Sequence, residues 1–76
     1  MNLMSIKMKQ KAEFIEWEDI RRDLKLPEED NNNGYIYGIA YLSEDGLDTI
    51  DCEWLKTNEE RYAQAEQEKL NVINFN

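Results

Sequence analysis

An alternating pattern of apolar and polar residues runs from residue 5 to residue 14. Alternation with a period of two is typical of a half-buried strand, so a strand is predicted here. Gln10 interrupts the apolar side, and a helix remains an alternative for the same stretch. One side of the strand holds Ile6, Met8, Ala12 and Phe14, and the other holds Lys7, Lys9, Lys11 and Glu13.

The period then changes to that of a helix. Trp17, Ile20 and Leu24 recur at helical spacing and predict a helix with these three residues on its apolar face. Pro27 ends the helix, because the residue before a proline is biased away from helical backbone angles. The polar stretch 28–34, which contains three asparagines and a glycine, is predicted to be a flexible loop.

Two β-rich runs, 35–42 and 47–55, are joined by Ser43, Glu44, Asp45 and Gly46. An Asp-Gly step between such runs is a strong signal for a β-hairpin. With an even-numbered loop, odd residues of the first strand should lie opposite even residues of the second. The expected core face is then aromatic and holds Tyr35, Tyr37, Ile39, Tyr41, Ile50, Cys52 and Trp54. The other face would be mixed and hold Ile36, Gly38, Ala40, Leu42, Thr49, Asp51 and Glu53.

A capping box follows the hairpin. Thr57 and Glu60 have the spacing at which each side chain satisfies a free backbone N–H, so a helix is predicted from about 58 to 70. A short final strand is suggested by Val72, Ile73 and Phe75. The predicted order is β-α-β-β-α-(β): one α+β domain over residues 1–76, with a small antiparallel sheet and helices on one face. A ferredoxin-like arrangement fits this order.

Composition narrows the chemistry that the chain can support. The 76 residues include no histidine, so no imidazole serves as a base, metal ligand or pH switch. Cys52 is the single cysteine, which excludes an intrachain disulfide and fits a reducing cytoplasm. It is expected to be a small buried hydrophobe. The three glycines are isolated, so no phosphate-binding loop is present. We therefore expect neither enzymatic activity nor a cofactor or metal site.

Charge points to a protein partner. The chain has 17 acidic and 9 basic residues, a net charge of −8, and the first eleven residues are basic. The remaining acidic surface repels nucleic-acid phosphates and anionic membranes but attracts a basic protein surface. A solvated surface that only maintains solubility is the alternative. The candidate partner-binding residues belong to the hairpin and the following helix start: Glu44, Asp45, Asp48, Asp51, Glu53, Glu59 and Glu60.

Segment 54–61, Trp-Leu-Lys-Thr-Asn-Glu-Glu-Arg, looks like a strand-to-helix junction common in small phage proteins. In size, acidity and lack of catalytic residues, the chain also resembles small phage or mobile-element proteins that block host defences. Anti-CRISPR proteins and DNA-mimic inhibitors are such proteins. The resemblance implies an inhibitor that occupies the basic groove of a nucleic-acid-binding host protein. The alternative function is a homodimeric structural or accessory protein that pairs through the mixed face, with Ile36, Ala40 and Leu42.

Overall fold

The computed structural model describes residues 9–74. Four strands and two α-helices follow one another along these residues: β1 (Lys11–Glu16), α1 (Trp17–Asp23), β2 (Tyr37–Leu42), β3 (Thr49–Leu55), α2 (Asn58–Gln67) and β4 (Asn71–Val72). Their order is the predicted one, and the α+β class is confirmed. The predicted strand residues 5–8 and Phe75 lie outside the described part of the chain.

The four strands form one sheet in the order β3-β2-β1-β4. Both β1–β2 and β2–β3 are antiparallel, whereas β4 runs parallel to β1, so the sheet is mixed. A ferredoxin-like sheet is built from split β-α-β units, in which the two strands joined by a helix are not neighbours. Here the Trp17 amide donates to the Ile36 carbonyl at 3.0 Å, and the chain returns directly beside β1. The sheet therefore does not have the ferredoxin-like arrangement.

The segment between α1 and β2 is organised by local hydrogen bonds. A 3-10 turn spans Asn32–Gly34, and the Asn31 side chain accepts from the Asn33 amide at 3.1 Å. The indole of Trp17 donates to the Asp30 carbonyl at 2.7 Å, which joins this segment to the start of α1. The flexibility of the loop stays a prediction.

The pairing of β2 with β3 differs from the predicted register. Next to the loop, Leu42 pairs with Thr49, an even residue with an odd one, as expected. One step later Tyr41 pairs with Asp51, so Ile50 is an extra residue that forms a β-bulge. A shift of one residue exchanges the two faces of a strand. The predicted composition of the two hairpin faces is therefore wrong.

One face of the sheet is covered by α2. It holds Ala12 and Ile39, which are fully buried, and α2 contributes the buried Ala65. Because of the bulge, the β3 residues on this face are Asp51, Glu53 and Leu55. We call this side of the sheet the α2 face.

The opposite face carries Trp54, whose ring meets that of Trp17 edge to face at 5.5 Å. Gly38 lies against the Trp54 ring, and a Cβ there would be 2.6 Å from Trp54 Cζ3 and 2.7 Å from Ile15 Cγ1. The close approach therefore requires glycine. Trp17 is the first residue of α1, so the start of this helix contacts the face opposite the α2 face. Leu24 is 62% exposed and does not belong to the core.

Candidate acidic interface

Three of the candidate acids lie on the hairpin loop, whose conformation is held by its own hydrogen bonds. Asp45 Oδ1 accepts from Ser43 Oγ at 2.6 Å and from the Leu47 amide at 3.0 Å. The Ser43 amide donates to the Asp48 carbonyl at 2.8 Å. The hydrogen bond from Ser43, then that from Leu47, lowers the pKa of the Asp45 carboxyl. Glu44, Asp45 and Asp48 are exposed on this ordered loop.

Two more candidates, Asp51 and Glu53, project from the α2 face of β3. Glu53 Oε1 accepts from the Tyr41 hydroxyl at 3.1 Å and from Gln64 Nε2 at 3.2 Å. The same hydroxyl donates to Glu68 Oε1 at 2.7 Å, and Gln64 Nε2 also contacts Glu68. Tyr41 and Gln64 thus bring two carboxylates from different elements together. We call Asp51, Glu53 and Glu68 the acidic strip.

This cluster changes the acidity of Tyr41. Burial is the main cause that raises its pKa well above the usual value. The hydrogen bonds to Glu68 and Glu53, and the charges of these carboxylates, add to the increase because they disfavour a phenolate. Tyr41 therefore stays protonated, and its hydroxyl proton is shared between the carboxylates of Glu53 and Glu68. Sequence reasoning missed Glu68; its position four residues after Gln64 on a helix was the available signal.

The last two candidates, Glu59 and Glu60, lie in the first turn of α2. The predicted capping box is confirmed: Thr57 Oγ1 accepts from the Glu60 amide at 3.0 Å, and Glu60 Oε1 accepts from the Thr57 amide at 3.2 Å. Both side chains are exposed, but Glu60 also caps the helix, whereas Glu59 has no part in the capping box. The α2 start and the hairpin loop lie at opposite ends of β3, roughly 20 Å apart for seven residues. The seven candidates follow the length of β3 and do not meet at one point.

The ion pairs of the described residues lie on another part of the molecule. Arg21 and Arg22 pair with acids of α1, and Arg61 pairs with Glu16. Within residues 9–74, no lysine or arginine side chain forms an ion pair with the seven candidates or with Glu68. At the hairpin loop, Lys11 Nζ donates to the Glu44 carbonyl at 2.8 Å, and its charge contributes to the lowered pKa of Asp45. The negative charge is therefore paired near α1, partly offset at the hairpin loop, and without an ion pair along β3.

Cys52 lies on the edge strand and is exposed, so its expected place in the core is wrong. The bulge turns it away from the α2 face. Partial desolvation and then the charge of Asp51 raise the pKa of its thiol, which favours the unreactive protonated form. In the described part of the chain, no three Cys, Asp or Glu side chains are grouped to hold a metal ion. No helix of residues 9–74 is both long and apolar enough to cross a membrane.

The residues proposed for a homodimer are only partly accessible. Ala40 and Leu42 are 3% and 4% exposed, so they offer almost no surface to a second copy. Ile36 is 37% exposed. The largest apolar exposures on the hairpin belong instead to Leu47 and Ile50.

Comparison with known proteins identifies no relative: no protein-family model, no curated protein and no solved structure matches the chain. The geometry of the site is therefore the basis for a functional proposal.

Proposed function

We propose that this protein is a small acidic inhibitor that binds a nucleic-acid-binding host protein, in the manner of phage anti-defence proteins that mimic DNA. The observation that carries the proposal is the row of carboxylates along β3, none of which forms an ion pair with a lysine or arginine of residues 9–74. Lys11 offsets part of the charge only at the hairpin loop, where it donates to the Glu44 carbonyl. The negative potential therefore remains available to a partner.

The carboxylates are also positioned in advance of binding. Hydrogen bonds fix Asp45 within its loop, and Tyr41 and Gln64 fix Glu53 and Glu68. Groups that are already ordered lose little conformational entropy on association. A row of fixed negative charges suits a basic groove that otherwise holds phosphates, because complementary potentials speed association and favour the correct partner.

The test begins with recovery of the partner from host lysate, followed by measurement with purified proteins. We expect the affinity to fall by about tenfold or more between 50 and 500 mM NaCl, because exposed charge attraction is screened. Duplex DNA should compete for the same surface of the partner. An affinity insensitive to salt, or simultaneous binding of DNA and this protein, would contradict the proposal.

Paired variants separate the site from the net charge. The double variant Asp51→Asn, Glu53→Gln removes two charges from the acidic strip and should weaken binding by about tenfold. The control, Asp23→Asn with Glu29→Gln, removes two exposed charges at α1 and the following turn. It should weaken binding by no more than about twofold. Equal losses for the two variants would mean that only net charge matters.

A further inference from the structure

We propose that the outer edge of β3 binds an extended segment of the partner in which basic and apolar residues alternate, and adds it to the sheet as a further strand. The inference rests on the proposed function, since it names the form in which a basic partner docks. Edge strands recognise peptides in this way through main-chain hydrogen bonds, while alternate side chains supply specificity.

The edge is defined by the pairing of the sheet. Among the described residues, β3 is the end strand and pairs only with β2. The Ala12 carbonyl accepts from the Ile73 amide at 2.9 Å, so even residues of β1 point their backbone groups to β4. Given the observed registers, the backbone N–H and C=O groups of odd β3 residues point to β2, and those of even β3 residues point outward. The backbone groups of Cys52 and Trp54 therefore form the outer edge.

A hydrogen bond of the Cys52 amide also indicates that the backbone groups of Cys52 point outward. The Cys52 amide donates to Asp51 Oδ1 at 2.8 Å, within its own strand. A carboxylate that covers an edge amide protects the strand from indiscriminate pairing. A basic side chain beside Asp51 would draw this carboxylate away and expose the amide to an incoming carbonyl. A basic strand can therefore reach the Cys52 amide, whereas Asp51 keeps other strands away from it.

The side chains of β3 give the edge its specificity. Asp51 and Glu53 point to the α2 face, and Cys52 and Trp54 point to the other. An added strand places its side chains about 4.5–5.5 Å from those of its neighbour. A segment with alternating Lys or Arg and apolar residues sets its cations beside the carboxylates and its apolar side chains beside Cys52 and Trp54.

Charge complementarity favours a basic segment over a second copy of β3. In an antiparallel pair of β3 edges centred on Cys52, Asp51 of one copy lies opposite Glu53 of the other. Like charges directly opposite each other destabilise a strand pair. A basic segment of the partner therefore fits this edge better than a second β3 edge does.

A synthetic peptide, acetyl-Lys-Val-Lys-Val-Lys-Val-Lys-amide, provides the test with the full chain. Its control has the same composition in the order Lys-Lys-Lys-Val-Val-Val-Lys. We expect the alternating peptide to bind at least about fivefold more tightly than the control. It should also slow hydrogen exchange of the Cys52 and Trp54 amides by about tenfold or more. Peptides that bind equally, without protection of these amides, would overturn the proposal.

Two pairs of variants locate the contact. Cys52→Pro removes the outward amide donor, at a position of an edge strand where proline is tolerated. It should weaken binding of the alternating peptide about fivefold, whereas Cys52→Ser, which keeps the amide, should leave binding unchanged. Asp51→Asn should weaken binding of the alternating peptide, whereas Glu29→Gln should not. This second comparison stays valid even if the Cys52→Pro variant does not fold.

The outcomes distinguish this inference from the proposed function. If Asp51→Asn weakens both peptides equally, edge addition is overturned while acidic recognition stands. If no peptide binds at 50 mM NaCl but the chain self-associates through β3, a second copy is the occupant and the proposal is also overturned. Failure of the proposed function appears instead in the salt dependence and the DNA competition measured with the recovered partner.

Discussion

Arg61 is a charged residue that is nevertheless buried in the structure. Its side chain is only 7% exposed and forms an ion pair with Glu16 at 2.9 Å. Its other contacts satisfy the remaining donors and cover the guanidinium plane. The hydrogen-bond acceptors are Asn58 Oδ1 and the carbonyls of Ile15 and Gly38, and the stacked rings are Phe14 and Tyr37.

Replacement of Arg61 by alanine should strongly destabilise the fold. It leaves the Ile15 and Gly38 carbonyls without this donor, so we expect a loss of about 2–4 kcal/mol in the free energy of unfolding. Arg22→Ala is the matched control because Arg22 pairs with acids at the exposed surface. It should cost about 0.5 kcal/mol or less. Urea unfolding measures both, and similar losses would contradict a structural role for Arg61.

The raised pKa of Tyr41 predicts a distinct alkaline titration. Its folded pKa lies above its unfolded value, so its contribution to stability is complete below about pH 10 and is lost as pH rises further. Ultraviolet absorbance should show a tyrosine component that ionises well above pH 10. Tyr41→Phe should remove this late component. Wild-type and Tyr41→Phe curves of the same shape would contradict the burial of Tyr41 and its two carboxylate contacts.

At this scale the sequence predicted the candidate carboxylates but not their environment. Asp51 and Glu53 share a face as predicted, because residues two apart in a strand always do. Neither Glu68 nor Arg61 was predicted to contribute. Their roles depend on how α2 lies across the sheet, and the spacing of residues along the chain does not contain that information.

At the scale of elements, the hairpin loop is the best example of structure encoded locally. Ser43, Asp45 and Leu47 are close in sequence, and their hydrogen bonds need no distant partner. The capping box at Thr57 and Glu60 is likewise local and was predicted correctly. The packing of α2 depends on distant residues instead: Ala65 is buried against the sheet, and the Tyr62 ring meets that of Phe14 edge to face at 5.5 Å.

The lowered pKa of Asp45 predicts that the hairpin weakens in acid. The folded pKa is below the unfolded value, so the stabilisation is present above about pH 3.8 and is lost as pH falls further. Hydrogen exchange of the Leu47 amide from pH 6 to pH 2.5, corrected for intrinsic rates, should reveal this loss of protection. Asp45→Asn keeps a side-chain oxygen but cannot titrate, so its protection should depend less on pH. Identical profiles would contradict the prediction.

At the scale of the whole molecule, the distribution of charge matters more than its total. The arginines compensate acids at α1 and β1, whereas the acids along β3 form no ion pair with the described basic residues. We therefore expect like-charge repulsion to lower stability on the side that we propose binds a partner. Such a conflict between local stability and a binding surface is expected at functional sites.

Salt should therefore stabilise the isolated protein. Raising NaCl from 20 to 300 mM screens repulsion between exposed carboxylates, and we expect Tm to rise by about 2–5 °C. The variant Asp51→Asn, Glu53→Gln should already have a higher Tm at low salt and show a smaller increase. Differential scanning calorimetry measures both. A wild-type Tm that is constant or falls over this range would show that the uncompensated charge does not strain the fold.

The sequence by itself determined the elements of this protein, their order and the acidic character of the hairpin. Periodicity, the Asp-Gly step and the capping box are properties of neighbouring residues, so they can be recognised without knowledge of the fold. The tertiary structure alone decided which faces of neighbouring strands combine. The bulge at Ile50 exchanges the faces of β3, placing Cys52 on the face opposite α2 and Asp51 and Glu53 on the α2 face. Strand register depends on contacts between whole strands, and one inserted residue reverses it.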